Sequence, residues 1–299
     1  ATIVNSNPKI AKMLENWKGD GASVSKLNQN EELKSVILAE TPWLLDAQSE
    51  EDKKKNLALL FDLTKMKSSL EGTLQKLKAK QSDSGGFSWF NGMPESTYIT
   101  NHIIAGFGHL EKLKADTLNN NQFREIVKKA IPFSDNQFVT EHKVRIAKMS
   151  NPKNLTWIRP YNELQFLYAR SFYLNPFPLS DELQKVANIY ISKCKEDWLD
   201  YNLYEKGLAA LTLHRFGETE TAKKILIHLK ETAANNEDSG MYWLENKSGW
   251  HWYQAPIETQ ALLTEAFSEI TADTKAVDAM KTWLIKNRQT KNWSTTKAT

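Results

Sequence analysis

The chain has one cysteine, Cys194, among 299 residues. That excludes an internal disulfide and any multi-cysteine zinc site. Glycine (12) and proline (9) together make up about 7% of the sequence, where ordinary usage is about 12%. Few turn-formers in a long chain mean few turns and long elements, which argues against a many-stranded β architecture. No apolar run reaches the roughly 18 residues that a membrane span needs, so none is expected. Neither sign of charge dominates: 39 Lys and Arg stand against 36 Asp and Glu, a net +3. A surface so nearly neutral gives a nucleic-acid partner no electrostatic support. The sequence holds no P-loop, no GxSxG, no GxGxxG and no Asp-rich metal motif such as DDxxD or DxDD. It has no self-evident catalytic constellation, and neither a cofactor nor a metal is expected.

What it does contain is helical periodicity and aromatic rings. Hydrophobic residues make up 40% and charged residues 25%, a globular balance, with 10 Trp, 9 Tyr and 12 Phe. Apolar residues recur at helical spacing nearly everywhere. The pattern predicts helices over 8–17, 29–39, 51–80, 96–114, 121–131, 137–149, 160–174, 180–194, 200–215, 219–234, 256–270 and 274–287. No run reads as a convincing strand, so the expected fold class is all-α. The segments at 51–80, 181–197 and 219–234 are amphipathic, with dense Lys and Glu, and should keep one wet face. Those at 97–110 and 256–270 have little polar circumference and should be buried on most sides, with Ile103 and Leu262 fully buried. Alternating wet and dry helices suit a double-layered helical ring, read here as one domain over 1–299 without a linker.

A weak internal repeat punctuates the helices. Ser84-Gly85-Gly86-Phe87-Ser88-Trp89-Phe90 precedes Ser96-Thr97-Tyr98-Ile99-Thr100 and a dry helix. Ser239-Gly240-Met241-Tyr242-Trp243 precedes Ile257-Glu258-Thr259-Gln260 and another. Trp293 to Thr299 looks like the start of a third unit. Helical repeats of this kind stack their apolar faces on their neighbours. The aromatic turns have two readings. They plug the end of the helical layer, or they form a binding surface on its face.

Other chemistry-bearing residues also have a plain reading beside a functional one. His102 and His109 lie seven apart, whereas a helical metal pair needs three or four. His251, inside Trp250-His251-Trp252-Tyr253, is the best candidate for a polar contact at the face, against a packed, hydrogen-bonded role. Glu163 and Glu258 each open a dry helix. A carboxylate there can be a general acid, as in glycosidases, or can simply cap the helix and complement its dipole. Cys194 on a helical stripe reads as a small core residue.

The run Gln81 to Phe90, followed by Ser96 to Thr100, resembles the α2-macroglobulin family, in particular its large bacterial cell-envelope members. Two further stretches are similar to the same family: Trp252-Tyr253-Gln254-Ala255-Pro256-Ile257-Glu258-Thr259-Gln260 with the residues through Leu263, and Trp293 to Thr299. The three motifs stand in family order from about residue 75 onward, and Asn5 to Pro8 with Glu40 to Leu45 add a less specific match. The resemblance implies an α/α toroid, terpenoid-cyclase-like, of about six helical hairpins. It implies a thioester domain of a complement-like endopeptidase inhibitor, a single-use protease trap of bacterial defence and not a turnover enzyme. Implied partners are attacking proteases and the remaining domains of the same parent chain, outside the cytoplasm in the periplasm or cell envelope. It singles out Gly85, Gly86, Phe87, Trp89, Phe90, Tyr98, Tyr253 and Glu258 as motif residues near a thioester, with His251 or His102 as a relay. The family's reactive Cys-x-Glu-Gln is absent, since Cys194 is followed by Lys195-Glu196-Asp197. The expectation is that the motif lies just upstream of Ala1, and that the chain is cut from something larger and lacks one or two terminal helices. Some complement-like members carry a histidine for transfer to hydroxyls, and the corresponding stretch here, Asn151 to Glu163, has none. The alternative readings are an α/α-toroid glycan hydrolase or lyase, and an inert helical scaffold.

Overall fold

The computed structural model describes residues 63–112, 121–149, 161–250 and 254–287. Among them are nine α-helices and one short hairpin. The helices are α1 (Leu63–Ala79), α2 (Thr97–Lys112), α3 (Asn121–Ala147), α4 (Tyr161–Ser171), α5 (Asp181–Asp197), α6 (Leu203–Arg215), α7 (Thr219–Thr232), α8 (Pro256–Ala266) and α9 (Thr274–Asn287). The fold is all-α, as its periodicity predicts. None of the described helices is long and apolar enough to cross a membrane. The predicted helices at 8–17 and 29–39, the start of the one at 51–80 and the third repeat at Trp293 lie outside the described residues.

By backbone contact the chain divides into two compact units, residues 1–83 with 109–129 and residues 84–108 with 130–299. In the first, α1 carries Lys78, which pairs with Glu125. The Gln81 side-chain amide donates to the Ile126 carbonyl at 3.0 Å. Among the described residues of this unit, Leu74, Phe123, Ile126 and Val127 are the buried apolar ones.

The second unit is built of two kinds of helix. In α4 every residue from Glu163 to Ser171 is buried, and in α6 every residue from Gly207 to Leu213. α6 packs on α4 and α8, making a row of buried helices. Beside this row, α5 buries only the stripe Leu183, Val186, Ala187, Tyr190, Ile191 and Cys194. α7 buries Ala222, Ile225, Leu226 and Leu229, and α9 buries Ala276, Val277 and Met280. These stripes follow the 3.6-residue period and leave a wet face on each helix. Caps fix where helices begin. The Ser180 hydroxyl accepts from the Leu183 amide, as expected for an N-cap. Asn202 and Glu205 close a reciprocal capping box on α6.

Four expectations need correction. Residues 121–131 and 137–149 are not two helices but parts of one, α3, which runs through Pro132. Proline removes one backbone bond, but Ile131, Phe133 and Ser134 on either side are buried and hold the helix across the gap. A hairpin exists where no strand was expected: Ala234–Asn236 (β1) pairs antiparallel with Gly240–Tyr242 (β2). Its strands are three residues each, too short for any alternation to register in the sequence. The helix predicted over 256–270 ends its α-helical part at Ala266 and continues as a π-turn, Phe267–Thr271. Finally, Ile103 is only half-buried and its neighbour Ile104 takes the core position at 1% exposure. Periodicity locates the apolar stripe of α2 but leaves its facing residue uncertain by one. Leu262 is buried as expected.

The C-terminal ends of the buried helices meet. Gly108 of α2 lies against the Phe172 ring, where an added Cβ would sit 2.3 Å from it. Phe172 follows α4 directly, and the Arg215 guanidinium at the end of α6 lies 4.1 Å from its ring centre. Arg215 also donates to Glu265 at the end of α8, and its two arms grip Glu269 in the π-turn at 2.8 and 2.6 Å. Ser171 accepts from Arg215 at 3.2 Å, and the Tyr168 hydroxyl donates to Glu265 at 2.7 Å. The opposite, N-terminal ends therefore share one side of the unit.

Two outcomes follow. Gly106 has open space where a Cβ would go, so Gly106→Ala should stabilise by about 0.5–1 kcal/mol through helix propensity. Gly108→Ala, two residues on, should cost about 1–3 kcal/mol by overpacking Phe172. Urea unfolding of both variants checks the pair. Arg215→Met should cost about 3 kcal/mol, because it leaves two largely buried carboxylates facing each other without a cation. Adding Glu265→Gln and Glu269→Gln to that variant should return part of the loss. A lysine at 215 should not substitute fully, since it lacks the planar fork.

Candidate binding site at the glycine and aromatic turns

The two repeat turns sit at the N-terminal ends of α2 and α8, on the side away from Arg215. In the first, Gly85 has φ +98°, a conformation that glycine adopts without penalty. Gly86 is confined: a Cβ there would fall 2.7 Å from the Phe133 ring and 2.8 Å from Glu95. This close approach drops Phe87 into the core at 2% exposure. The Phe87 amide donates to the Thr100 hydroxyl at 3.0 Å, and Thr100 donates on to the Ser96 carbonyl at 2.9 Å. The Ser96 amide returns a bond to the Phe87 carbonyl at 2.7 Å. Three residues thus weld the turn to the first turn of the helix.

The second turn repeats the construction. Gly240 has φ +70°, and a Cβ there would meet the Ala279 carbonyl oxygen at 2.1 Å. Met241 is buried at 2% exposure. Thr259 donates to the Ala255 carbonyl at 2.8 Å, as Thr100 does to Ser96. The next residue is a buried amide in both copies. Asn101 pairs with Ser134 of α3, and the Gln260 amide donates to the Met241 carbonyl at 2.7 Å. Thr100-Asn101 and Thr259-Gln260 are therefore equivalent positions.

The copies part company at the tryptophan two residues past the core side chain. Trp243 is 2% exposed and its indole N–H donates to the Leu229 carbonyl at 2.9 Å. Trp89 is 56% exposed and Phe90 72%. Trp89 stacks on Tyr98 with centroids 5.5 Å apart and planes 8° from parallel. Tyr98 in turn lies parallel to His102 at 6.4 Å. One copy buries its tryptophan and the other leaves it exposed.

The other sequence candidates are placed as follows. His102 is exposed and belongs to this stack. Glu258 is half-buried in the first turn of α8, where it complements the dipole. Tyr253 and His251 lie outside the described residues, while the adjacent Trp250 is almost fully exposed. Glu163 is buried in the first turn of α4 and pairs with Arg145 of α3. Burial raises its carboxyl despite that cation. Cys194 is fully buried, and burial pushes its thiol up to about 12, so it holds its proton at neutral pH. The sequence reading places Gln260 in the second repeat but not its equivalent Asn101, although both follow a threonine; Arg215 carries no such signal. Among the described residues no group of three or more His, Cys, Asp or Glu is placed to hold a metal ion.

One titratable contact lies between α3 and α5. Nδ1 of His142 is 3.1 Å from the Tyr190 hydroxyl, and the two rings meet edge to face. Burial, then the neighbouring Arg145 cation, lowers the imidazole below its ordinary 6.5. The folded state therefore binds fewer protons than the unfolded one as pH falls below 6.5, and stability falls with it. A His142→Gln variant should lose less melting temperature than the parent between pH 7.5 and 5.5. An equal loss in both would remove His142 from the account.

No protein-family model matches the chain, and a search of curated proteins finds no match.

Proposed function

We propose that this chain is a thioester-domain segment of a macroglobulin-like protease trap, built as an α/α toroid. The observation that carries the reading is the repeated turn. A glycine under a neighbouring element, a buried side chain and a threonine at the fifth residue of the opening recur ahead of two helices, α2 and α8. They do so in the segments whose sequences resemble that family. The row of buried helices flanked by half-exposed ones supports a two-layered helical ring.

On this reading the parent holds an acyl group strained and shielded from water until a protease cuts it elsewhere, and a nucleophile of the attacker then takes the acyl group. Its partners are attacking proteases and the other domains of the same parent, and it works outside the cytoplasm, in the periplasm or cell envelope. It is consumed once and does not turn over. Gly85, Gly86 and Phe87 fix the turn on this reading, and the exposed rings Trp89 and Phe90 with Tyr98 stand near the reactive group. Tyr253 and Glu258 belong to the second motif, and His251 or His102 would be the relay if hydroxyls were taken up as well as amines. The buried Cys194 takes no part.

The chain alone should be chemically inert. Intact mass after methylamine or protease treatment should be unchanged. In the parent reading frame, Cys-x-Glu-Gln should stand just upstream of Ala1, and the intact parent should take up methylamine at that glutamine. It should prefer amines to glycerol, because a hydroxyl needs a general base and no histidine lies between Asn151 and Glu163. A specific adduct on the isolated chain would sink this reading, as would a parent that has the motif yet takes up no amine.

A further inference from the structure

We propose that Trp89 is the stacking platform of a binding site for a neutral oligosaccharide. The inference is independent of the protease-trap reading and involves no bond cleavage. Three observations within the second unit meet at this ring.

The first is the divergence of the repeat. At the equivalent position Trp243 is 2% exposed and satisfies its N–H on Leu229, which is what the fold asks of a tryptophan there. Trp89 is 56% exposed in the same turn. Its large apolar surface contributes little burial, so the fold by itself does not account for the ring.

The second is rigidity. Trp89, Tyr98 and His102 form a parallel ladder, 8° and 2° between successive planes. The turn beneath is locked by Gly86 against Phe133 and by the Phe87 to Thr100 bond. A ring held this way loses little freedom when a ligand lands on it, and preorganisation of that kind adds directly to affinity. The next residue, Phe90, is 72% exposed.

The third is charge. Residues 84–108 contain no Lys or Arg, in a chain with 39 of them. Their one carboxylate, Glu95, accepts from the Ser84 hydroxyl at 3.0 Å. A polyanion finds no counter-charge in this segment, and base stacking on aromatic rings ordinarily comes with a cationic groove. Glu141 of α3 adds a carboxylate on the Thr97 hydroxyl at 3.2 Å, so the charges at this turn disfavour an anion and leave an uncharged ligand as the better fit. An uncharged ligand that has a flat apolar face and a polar rim is a pyranose ring. Its C–H face packs on the indole as other apolar surface does, and its hydroxyls meet water and the neutral turn that holds Ser88 and Asn91.

The test uses the whole 299-residue chain, labelled with 5-fluorotryptophan, with the Trp89 resonance assigned through Trp89→Phe. Cellohexaose and chitohexaose are titrated separately and followed by fluorine NMR. At least one should shift the Trp89 resonance saturably, at affinities insensitive to added salt. Trp89→Ala should weaken binding about tenfold, Trp89→Phe less than about threefold, and Trp250→Ala not at all. The direct readout on the unsubstituted chain keeps the test decisive even if a variant folds poorly. The proposal is overturned if neither sugar moves the resonance at about 10 mM, or if Trp89→Ala binds as tightly as the parent. It is also overturned if heparin moves the resonance and the neutral sugars do not. Self-association that disappears in Trp89→Ala would instead assign the ring to a contact between copies of the chain, and would equally end the sugar proposal.

Discussion

Arg215 is the constraint on which the second unit depends. Among the described residues it is the cation shared by the ends of three buried helices. It bonds Ser171 at the end of α4, closes α6, and holds Glu265 in the last turn of α8 and Glu269 in the π-turn beyond it. Two carboxylates this close repel one another unless a cation stands between them, and bidentate geometry makes the guanidinium the right one. The π-turn at Phe267–Thr271 sets Glu269 for that grip. With one set of helix ends fixed, the opposite ends are free to carry turns that need not bury everything they hold.

The repeated turn shows how a fold requirement and a functional surface can share one motif. Both copies solve the same local problem, which is to bring the chain back over the start of a buried helix. Both use a glycine under a neighbouring element, a buried side chain and a threonine that bonds back four residues. That shared part is dictated by packing. The tryptophan is not: Trp243 has the Leu229 carbonyl within reach and goes inward, whereas Trp89 lies outward on Tyr98. The difference comes from what surrounds each turn and not from the turn itself.

This divergence also marks the limit of what the sequence conveys. The all-α class, the wet and dry helices and the repeat were legible, because they rest on periodicity and on local turn chemistry. The inward or outward fate of Trp89 and Trp243 was not, since their contexts read alike until the neighbouring helix is in place. Arg215 carries no signal of its role in the sequence, because its partners Ser171 and Glu265 are 44 and 50 residues away. Residues 121–131 and 137–149 read as two helices, because the packing that carries α3 past Pro132 is tertiary. Ile103 and Ile104 could not be told apart by a period that locates a stripe only to within a residue. The thioester reading rests on motif resemblance, which the fold class accommodates but does not by itself single out.

The central claim is that α4, α6 and α8 form one row pinned at its C-terminal ends by Arg215. Native-state amide hydrogen exchange tests it most directly. The account expects the central amides of these three helices to open together, with one shared free energy near that of global unfolding, and the Phe87 amide to be protected with the turn. Faster exchange is expected in α5, α7 and α9, whose backbones border water. If α6 exchanges as fast as α7, or if the three buried helices open independently of one another, the pinned row does not exist and the account fails with it.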